Sequence, residues 1–345
     1  MNFGDLQKTY HSPLHLGFLP VSDCTPIAVA VEMGIFERYG LNVLLSRESN
    51  GSVIRNKIYH GELDAAQSIA GVAFSLAMGF SEQRCEIAVP LVFNLHGSAI
   101  TLSAALDPLK IGNGKGLADW MENRWSKPRP LTLAIPHRDS SQHILLHRWL
   151  TLHGMSSNPQ VEVVAVQPEQ MPAQLASGLI DGFCVEEPWN SEAILAGTGW
   201  CPAVSSALAL WHHEKMLLVT GEFIRERREE VVTLIAALLE ACELCADPSF
   251  REEMVSILSL KQYIGVSEKV LRHSFNGGFM TGGGAKSVSD FHLFYGDKVN
   301  RPTVDKAAWA LAGLRDIGVL QNFTYGSLSR IYREDLFHSV VHAYH

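Results

Sequence analysis

Short apolar runs alternate with amphipathic segments of helical period from the start of the chain, and glycines separate many of them. Residues 14–19 predict a buried strand. The helix that follows, residues 26–39, has Thr25 as its predicted N-cap and Gly40 after its last turn. The alternation continues with predicted strands at 41–45, 64–66 and 87–93 and predicted helices at 52–60 and 71–78. Strands and helices in alternation, joined by short loops, indicate parallel α/β layers.

The same pattern begins again after the proline-rich residues 128–130. It predicts strands at 131–135, 161–166, 182–185 and 216–220 and helices at 141–152, 168–177, 222–246, 250–258, 267–274 and 306–316. We therefore predict an N-terminal tail at 1–13, a discontinuous first lobe at 14–103 and 213–345, and a second lobe at 104–212. Two such lobes indicate a cleft that is crossed by hinge strands and closes on a small ligand.

Composition and charge narrow the function. The chain has 345 residues, 47% of them hydrophobic and 19% charged, which is typical of a globular protein with about two domains. Its formal charge is −8 and no run of Lys or Arg exceeds two residues, which argues against direct binding of nucleic acid. Residues 1–15 lack the apolar run of a secretory leader, and no segment has the roughly 18–20 apolar residues of a membrane span. We expect a cytoplasmic protein.

Sequence motifs for metals, cofactors and catalysis are weak. The six cysteines are too sparse for a disulfide framework and indicate free thiols. Cys242 and Cys245 form a C-x-x-C on a predicted helix, without a second ligand pair for zinc. Residues 112–116, G-N-G-K-G, lack phosphate-loop spacing and predict a plain turn, while residues 276–289 predict an exposed loop. We expect no metal, no cofactor and no catalytic residues.

Several segments together resemble one family. They are L-G-F at 16–18, D-C-T-P at 23–26, E-x-G-x-F-x-x-Y-G-L at 32–41, F-C-V-E-E-P-W at 183–189 and E-K at 214–215. Over residues 14–280 the chain resembles the NrtA/CmpA family of nitrate- and bicarbonate-binding receptors of ABC transporters. The resemblance implies an α/β, two-lobed type II periplasmic-binding-protein fold, with hinge strands between the lobes and a mostly helical C-terminal tail.

The resemblance also implies a set of ligand-binding residues. The family's anion-binding lysine falls on Lys215. Its nitrate-stacking tryptophan falls on Gly51, its glutamine on Ser98 and its histidine on Gln142, so three of the four expected side chains differ. Much of a nitrate site is therefore missing.

Neighbouring residues offer other contacts to a ligand. If the alignment is shifted by one residue, Asn50 instead of Gly51 matches the family's tryptophan. Likewise, His143 instead of Gln142 then matches its histidine. Helix N-termini also favour anions, and predicted helices begin near Asn50 and near Cys24 and Thr25. Plain helix capping explains the same residues.

An added carboxylate changes the expected ligand. The family has glycine where this chain has Glu186. If Glu186 faces the ligand, it offsets Lys215 and disfavours a bare anion; the alternatives are a solvated Glu186 and a surface Lys215 paired with Glu214. Our hypothesis is a larger, less positive pocket for an amide, a urea-like compound or a zwitterion. His212 and His213 are predicted at the surface or at the mouth of the cleft.

Three functions remain open. The absence of a leader and the extension at 290–345 look most like NasS, the cytoplasmic branch of the family. NasS proteins sense nitrate or nitrite and hold NasT, an ANTAR-type RNA-binding antiterminator, inactive until ligand arrives. The second possibility is a receptor of an ABC transporter. The third is an enzyme like thiamin-pyrimidine synthases, which bind pyridoxal phosphate through a lysine, but their Cys-rich motif is missing. We expect a non-catalytic protein that binds a small polar or anionic ligand.

Overall fold

Two five-stranded mixed sheets organise the chain. The computed structural model describes residues 10–79, 83–106, 111–122, 129–281, 284–288, 290–320 and 328–344. The strands are β1 Leu14–Phe18, β2 Val43–Arg47, β3 Ala65–Ser68, β4 Ile87–Val92, β5 Leu95–His96, β6 Ser98–Ser103, β7 Leu131–Ile135, β8 Val161–Ala165, β9 Gly182–Glu186, β10 Gly199–Val204, β11 Met216–Thr220, β12 Gly278–Thr281, β13 Gly284–Ser287 and β14 His292–Leu293. The helices are α1 Thr25–Glu32, α2 Ile35–Arg38, α3 Gly51–Tyr59, α4 Ala70–Met78, α5 Gly114–Glu122, α6 Ser141–Leu152, α7 Met171–Ser177, α8 Trp189–Leu195, α9 Ser205–Leu208, α10 Gly221–Glu226, α11 Arg228–Ala246, α12 Arg251–Ser259, α13 Glu268–Phe275, α14 Asp297–Asn300, α15 Val304–Asp316, α16 Leu328–Ile331 and α17 Glu334–Tyr344.

The first sheet has the strand order β2-β1-β3-β11-β4. β1 is parallel to β2 and β3, whereas β11 returns from the C-terminal half of the chain and is antiparallel to β3 and β4. Successive residues of β11 point to opposite faces of the sheet. Leu217 packs with the apolar cluster of α1 and α11, and Leu218 packs with that of α4 and α15. β11 therefore lies at the centre of the first lobe.

The second sheet has the order β10-β6-β9-β7-β8 and is also mixed. Because β6 belongs to it, the second lobe begins before Ser98, which corrects the predicted boundary between residues 103 and 104. The chain passes between the sheets at 93–97 and at 205–215. These two segments pair with each other: the backbone N–H of Glu214 donates to the carbonyl of Asn94 over 3.0 Å, and Leu95 bridges to His213. They are the hinge strands of the fold.

Local predictions fail where glycine or tertiary contacts intervene. The predicted helix 26–39 breaks at Gly34, whose φ of 61° places it in the left-handed region. Residues 112–116 are not a plain turn, because Gly114 begins α5, and a Cβ on Gly116 would lie 1.8 Å from the carbonyl oxygen of Ile111. The predicted loop at 276–289 contains the β12–β13 hairpin. A left-handed backbone conformation explains Gly34, and close backbone packing explains Gly116.

Helix α11 carries the C-x-x-C motif on its buried side. Cys242 and Cys245 both lie in the core, and burial raises the pKa of each thiol. All six cysteines, each within the described residues, are free. No helix of the described ranges, α11 included, combines the length and the apolar character needed to cross a bilayer.

Candidate functional site

A buried ion cluster lies where the two sheets meet. The Nζ of Lys215 is 2.5 Å from Oε1 of Glu186 and 3.2 Å from Oε1 of Glu214. Lys215 has an exposed fraction of 0%, so neither ion pair is weakened by bulk water. The predicted alternatives of a surface lysine and a solvated Glu186 are wrong, because tertiary packing buries both side chains.

Glu214 has further hydrogen-bond donors around it. Ser141 Oγ donates to its Oε1 over 2.5 Å and Gln142 Nε2 donates to the same oxygen over 2.7 Å. Ser98 Oγ donates to Oε2 over 3.2 Å and itself accepts from Gln142 Nε2 over 2.9 Å. Ser98, Gln142, Glu186 and Lys215, four of the predicted site residues, are thus brought together. Glu214 and Ser141 complete the group.

Strand ends and one helix start place these side chains. Ser98 is the first residue of β6 and pairs in register with Glu186, the last residue of β9. Lys215 directly precedes β11. The α6 helix begins at Ser141 because Ser140 caps it by accepting a hydrogen bond from the backbone N–H of His143 over 3.2 Å. Donors from both lobes therefore converge on the same carboxylate.

Burial and the neighbouring charges set the ionisation of the cluster. Burial lowers the pKa of Lys215, but Glu186 and Glu214 outweigh it and raise the pKa above its ordinary value. Burial raises the pKa of Glu214, but Lys215 and His212 outweigh it and lower the pKa overall. Burial raises the pKa of Glu186 despite its contact with Lys215. The positive charge of Lys215 is therefore neutralised by Glu186 and Glu214 of the same chain.

A small cavity adjoins this cluster between the lobes. It encloses about 40 Å³. Its walls are mostly apolar, and its residues are Leu19, Pro20, Val21, Ser49, Asn50, Gly51, Ile69, Pro136, His137, Ser140, Gln167, Pro168, Glu169 and Glu186. Two buried acceptors at the cavity, Oε2 of Glu186 and Oε1 of Gln167, have no hydrogen-bond partner among the described residues. No Lys or Arg of the described chain lines the cavity.

Of the eight predicted site residues, three are among the described residues that line the cavity and five are not. Asn50, Gly51 and Glu186 line the cavity. A Cβ on Gly51 would lie 3.2 Å from Cγ2 of Val72, so α3 and α4 pack closely at this position. Asn50 also caps α3, because its Oδ1 accepts from the backbone N–H of Val53 over 3.1 Å. Lys215 lies behind Glu186 and is not among the described cavity residues.

Other predictions at the site need correction. Thr25 does not cap a helix with its side chain, because its hydroxyl donates to the carbonyl of Ser22 over 2.5 Å. Cys24 is buried in the apolar core, where burial raises the pKa of its thiol. His212 and His213 are buried rather than at the surface, and burial lowers the pKa of His213 to about 3. None of these four residues lines the cavity within the described part of the chain.

Two residues that line the cavity were not predicted from the sequence, and one predicted alternative, His143, does not line it. His143 Nδ1 contacts the carbonyl of Arg138 over 2.8 Å and is not a cavity residue of the described chain. His137 and Gln167 do line the cavity, although no motif marks them. Glu214 was predicted only as the partner of a surface lysine; the structure keeps this pair, with Nζ of Lys215 3.2 Å from Oε1 of Glu214, and buries both residues.

Contacts across the cleft hold the lobes together. Ser52 Oγ lies 3.1 Å from Nε2 of His137, so a hydrogen bond joins α3 to the second lobe. Gly71, in the first turn of α4, touches the second lobe so closely that a Cβ there would lie 2.2 Å from the carbonyl oxygen of Asp139. This conformation of the cleft is closed.

A second buried carboxylate near the cleft makes stability depend on pH. Glu187 Oε2 accepts from the backbone N–H of Ser191 over 3.3 Å, and burial raises the pKa of Glu187 from 4.5 to about 7. Between these pH values the folded protein keeps a proton that the unfolded chain has released, so stability falls as the pH rises. We expect Glu187→Gln to lose this dependence and to gain about 3 kcal/mol relative to the unmodified protein between pH 5 and pH 8.

Thermal unfolding of both proteins, followed by calorimetry at pH 5 and pH 8, measures this difference. Glu222→Gln, at an exposed residue of α10, is the control and should follow the unmodified protein at both pH values. Equal pH dependence in Glu187→Gln and the unmodified protein would contradict the burial argument.

The fold and the interlobe cavity define a class, the two-lobed periplasmic-binding-protein fold, and solved structures agree. The periplasmic nitrate-binding protein NrtA from Synechocystis PCC 6803 superposes with a TM-score of 0.89 at 22% identity, covering 96% of this chain and 89% of that chain. The desulfurization enzyme DSZB superposes with a TM-score of 0.62 at 14% identity, covering 97% and 100%. The fold thus serves both binding proteins and an enzyme.

Sequence comparison identifies the family. The chain belongs to the NMT1-like family, whose model matches residues 7–259. It is 33% identical over 334 residues to the nitrate import ATP-binding protein NrtC of Synechocystis sp., covering 94% of this chain and 49% of that protein. It is 25% identical to the nitrate/nitrite-binding protein NrtA of Synechococcus elongatus, covering 95% and 77%. The chain spans about half the length of NrtC. The predicted kinship with NrtA/CmpA receptors is confirmed; its NasS branch stays a prediction.

Proposed function

We propose that this protein is a non-catalytic, small-solute-binding protein of the NrtA type, which closes its two lobes around its ligand. The family and the fold support this proposal. So does the cavity, because strand ends and helix starts of both lobes line it, as in ligand sites of open α/β sheets. The polar groups of the cavity indicate the chemical class of the ligand.

One observation carries the choice of ligand: two buried side-chain oxygens of residues that line the cavity have no hydrogen-bond partner among the described residues, and both are acceptors. Oε2 of Glu186 and Oε1 of Gln167 have no partner among the described residues, and Lys215 is already neutralised by carboxylates. A bare anion such as nitrate offers only acceptors and meets a second negative charge at Glu169. A solute with N–H groups satisfies both acceptors. We infer an amide, a urea-like compound or a zwitterion that presents its nitrogen to Glu186.

The size of the cavity limits this solute. A single buried water needs roughly 10–15 Å³ of such volume. The cavity of about 40 Å³ therefore suits a small solute such as formamide or urea. Gly51 and Val72 pack closely on one side of the cavity, and the larger pocket expected from the loss of the tryptophan stays a prediction.

A ligand screen tests the proposal. Urea, formamide and acetamide are expected to raise the melting temperature in a dose-dependent manner, since a ligand of the folded state stabilises it by mass action, while nitrate and bicarbonate are not. Calorimetry then gives the affinity of each positive compound. Nitrate binding with micromolar affinity, or the absence of any response to the donor compounds, would overturn the choice of ligand.

Two variants test whether a compound found in the screen binds at Glu186. Hydrogen bonds to a charged group contribute about 1.5–3 kcal/mol, so Glu186→Gln should weaken urea or amide binding about 10- to 100-fold. The matched control is Glu169→Gln, because Glu169 lines the same cavity but is exposed to water. Equal losses in both variants would contradict a direct role of Glu186.

The partner that responds to cleft closure is also a proposal. A cytoplasmic sensor that controls an ANTAR-type regulator is supported by the resemblance to NasS and by a charge of −8, which suits a basic partner. A transporter role is supported by relatives such as NrtC, an ATP-binding protein of nitrate import. Co-purification with each candidate partner from the same genome, with and without ligand, separates the two. Only a ligand with different affinity for the open and closed states can change partner binding.

The enzymatic alternative has less support from the site. A lysine that forms an adduct with pyridoxal phosphate must reach that molecule, whereas Lys215 is fully buried between two carboxylates. Within the described residues no group of three or more His, Cys, Asp or Glu side chains could hold a metal ion. An aldimine absorbance band in the purified protein would favour the enzyme.

A further inference from the structure

A second pocket lies beside the hinge segment 205–215, and we call it the hinge pocket. It encloses about 410 Å³, within the range of roughly 300–1,000 Å³ that is typical of small-molecule sites. One part of its wall comes from the hinge segment and the other from residues 298–309. The described residues that line it are Leu210, Trp211, Lys298, Arg301, Thr303, Asp305, Lys306 and Trp309. None of them lines the interlobe cavity.

Two tryptophans give the hinge pocket aromatic surface. The backbone of Trp211 lies in the left-handed region, with a φ of 65°, which is strained for a bulky residue. Burial does not explain this strain, because Trp211 is 46% exposed. Trp309 packs against apolar clusters of both lobes, and its ring centroid lies 5.3 Å from that of His212 in the hinge segment. The hinge pocket therefore lies where the two lobes and the hinge meet.

The charges of the hinge pocket are mostly positive. Lys298, Arg301 and Lys306 line it, and Asp305 is the one carboxylate among its described residues. The Nζ of Lys298 lies 5.5 Å from the centre of the Trp211 ring, within the distance of a cation–π contact. A positive, aromatic pocket in a chain with a charge of −8 favours an anionic ligand over a neutral one.

The segment before α15 holds two of these cations in place. Lys306 Nζ donates to the carbonyls of Val299 and Arg301 over 2.8 Å and 2.6 Å. Burial lowers the pKa of Lys306 to about 8, so most of its charge remains at pH 7. Nη2 of Arg301 lies 3.1 Å from Oδ2 of Asp297, whereas its buried Nε has no partner among the described residues. An acceptor oxygen of a ligand would satisfy this donor.

We propose that the hinge pocket binds a small aromatic carboxylate, with its ring against the tryptophans and its carboxylate at Lys298 and Arg301. A ring stacks on indole surface, and a carboxylate offers only acceptors to cationic donors. A single ring with one acidic group matches a pocket built from two short segments of the chain. The inference goes beyond the proposed function, because it assigns a second ligand to a separate site.

Calorimetry with phenylacetate and 2-phenylethanol at pH 7 and low salt tests the proposal. The two compounds share the ring and are close in size, but only phenylacetate is charged. We expect phenylacetate to bind at least about tenfold more tightly, because its carboxylate forms charge-assisted hydrogen bonds. High salt should weaken phenylacetate more than 2-phenylethanol.

Two variants test the residues of the site. Arg301→Met keeps the backbone carbonyl that holds Lys306 but removes the guanidinium, so it should weaken phenylacetate about tenfold and 2-phenylethanol little. Trp211→Ala should weaken both compounds, by about threefold or more, because both lose the stacking surface. The matched controls are Arg272→Met, at an exposed arginine of α13 that also pairs with carboxylates, and Tyr59→Ala, at an exposed aromatic residue of α3. Neither control should change binding.

Three results would overturn the inference. One is no heat of binding for phenylacetate at millimolar concentration, and another is equal affinity for phenylacetate and 2-phenylethanol. The third is phenylacetate binding that falls in Glu186→Gln but not in Arg301→Met, because that pattern assigns the compound to the interlobe cavity. Failure of the urea and amide screen leaves this test intact, since those compounds address the interlobe cavity and phenylacetate is measured separately.

Discussion

Lys215→Met is expected to destabilise the fold by about 3–5 kcal/mol, the range found when one partner of a buried ion pair is removed. Lys215 is fully buried and contacts both Glu186 and Glu214. Methionine fills much of the lysine's volume, so the loss of stability comes from the missing charge rather than from a cavity. Glu214 keeps its hydroxyl and amide donors, whereas Glu186 loses its ion-pair partner. Thermal unfolding followed by calorimetry at pH 8 measures the effect.

The pH response and two further variants test this explanation. Burial already raises the pKa of Glu186, so protonation at pH 5 should recover part of the stability that Lys215→Met loses at pH 8. The double variant Lys215→Met/Glu186→Gln should recover a similar part at both pH values. Arg225→Met is the surface control, because Arg225 and its partner Glu86 are exposed, and its effect should stay within about 0.5 kcal/mol. A Lys215→Met protein as stable as the unmodified one would show that the cluster is not buried in solution.

Gly71→Ala is expected to hold the cleft open and to weaken solute binding at least about tenfold, which corresponds to 1.4 kcal/mol. The new Cβ would lie 2.2 Å from the backbone oxygen of Asp139, far inside the ordinary contact distance of about 3.5 Å. Since α4 and the segment before α6 belong to different lobes, separation of the lobes relieves the clash. Separation of the lobes should also lower the free energy of unfolding, because one apolar cluster includes buried residues of both lobes.

Scattering and calorimetry check the expectation for Gly71→Ala. Its radius of gyration should exceed that of the unmodified protein, and binding of the compound found in the screen should weaken. Gly61→Ala is the control with the opposite pattern. Gly61 follows α3 with a φ of 71°, and no described atom lies within 4 Å of its added Cβ, so alanine strains the turn without touching the cleft. Equal affinities for Gly71→Ala and Gly61→Ala would contradict a closed cleft at Gly71.

Secondary structure was predictable to the extent that local pattern decides it. Residues 131–135, 141–152 and 216–220 match β7, α6 and β11 at both ends, because hydrophobic period, capping serine and glycine are local signals. The α1–α2 break at Gly34 and the β12–β13 hairpin were not predicted. There, backbone conformation and strand pairing override the local pattern.

The positions of the site residues were predictable from the sequence, but the interactions among them were not. The family resemblance pointed to Ser98, Gln142, Glu186 and Lys215, and the structure brings these four together. It did not reveal that Glu214 accepts hydrogen bonds from this group. Neither did it reveal that Glu186 covers Lys215 at the cavity. Both facts depend on contacts between segments far apart in the chain.

Sequence alone established the α/β layers, the interrupted first lobe and a lysine beside a hinge strand, because periodicity, glycines and chain order carry that information. Only the tertiary structure decided what the lysine does. Its charge is neutralised by Glu186, 29 residues away, and by Glu214, its neighbour in the chain. Coulomb energy depends on distance and burial, which arise from packing rather than from spacing along the chain. The net charge of −8 could not show that the buried Lys215 is already paired.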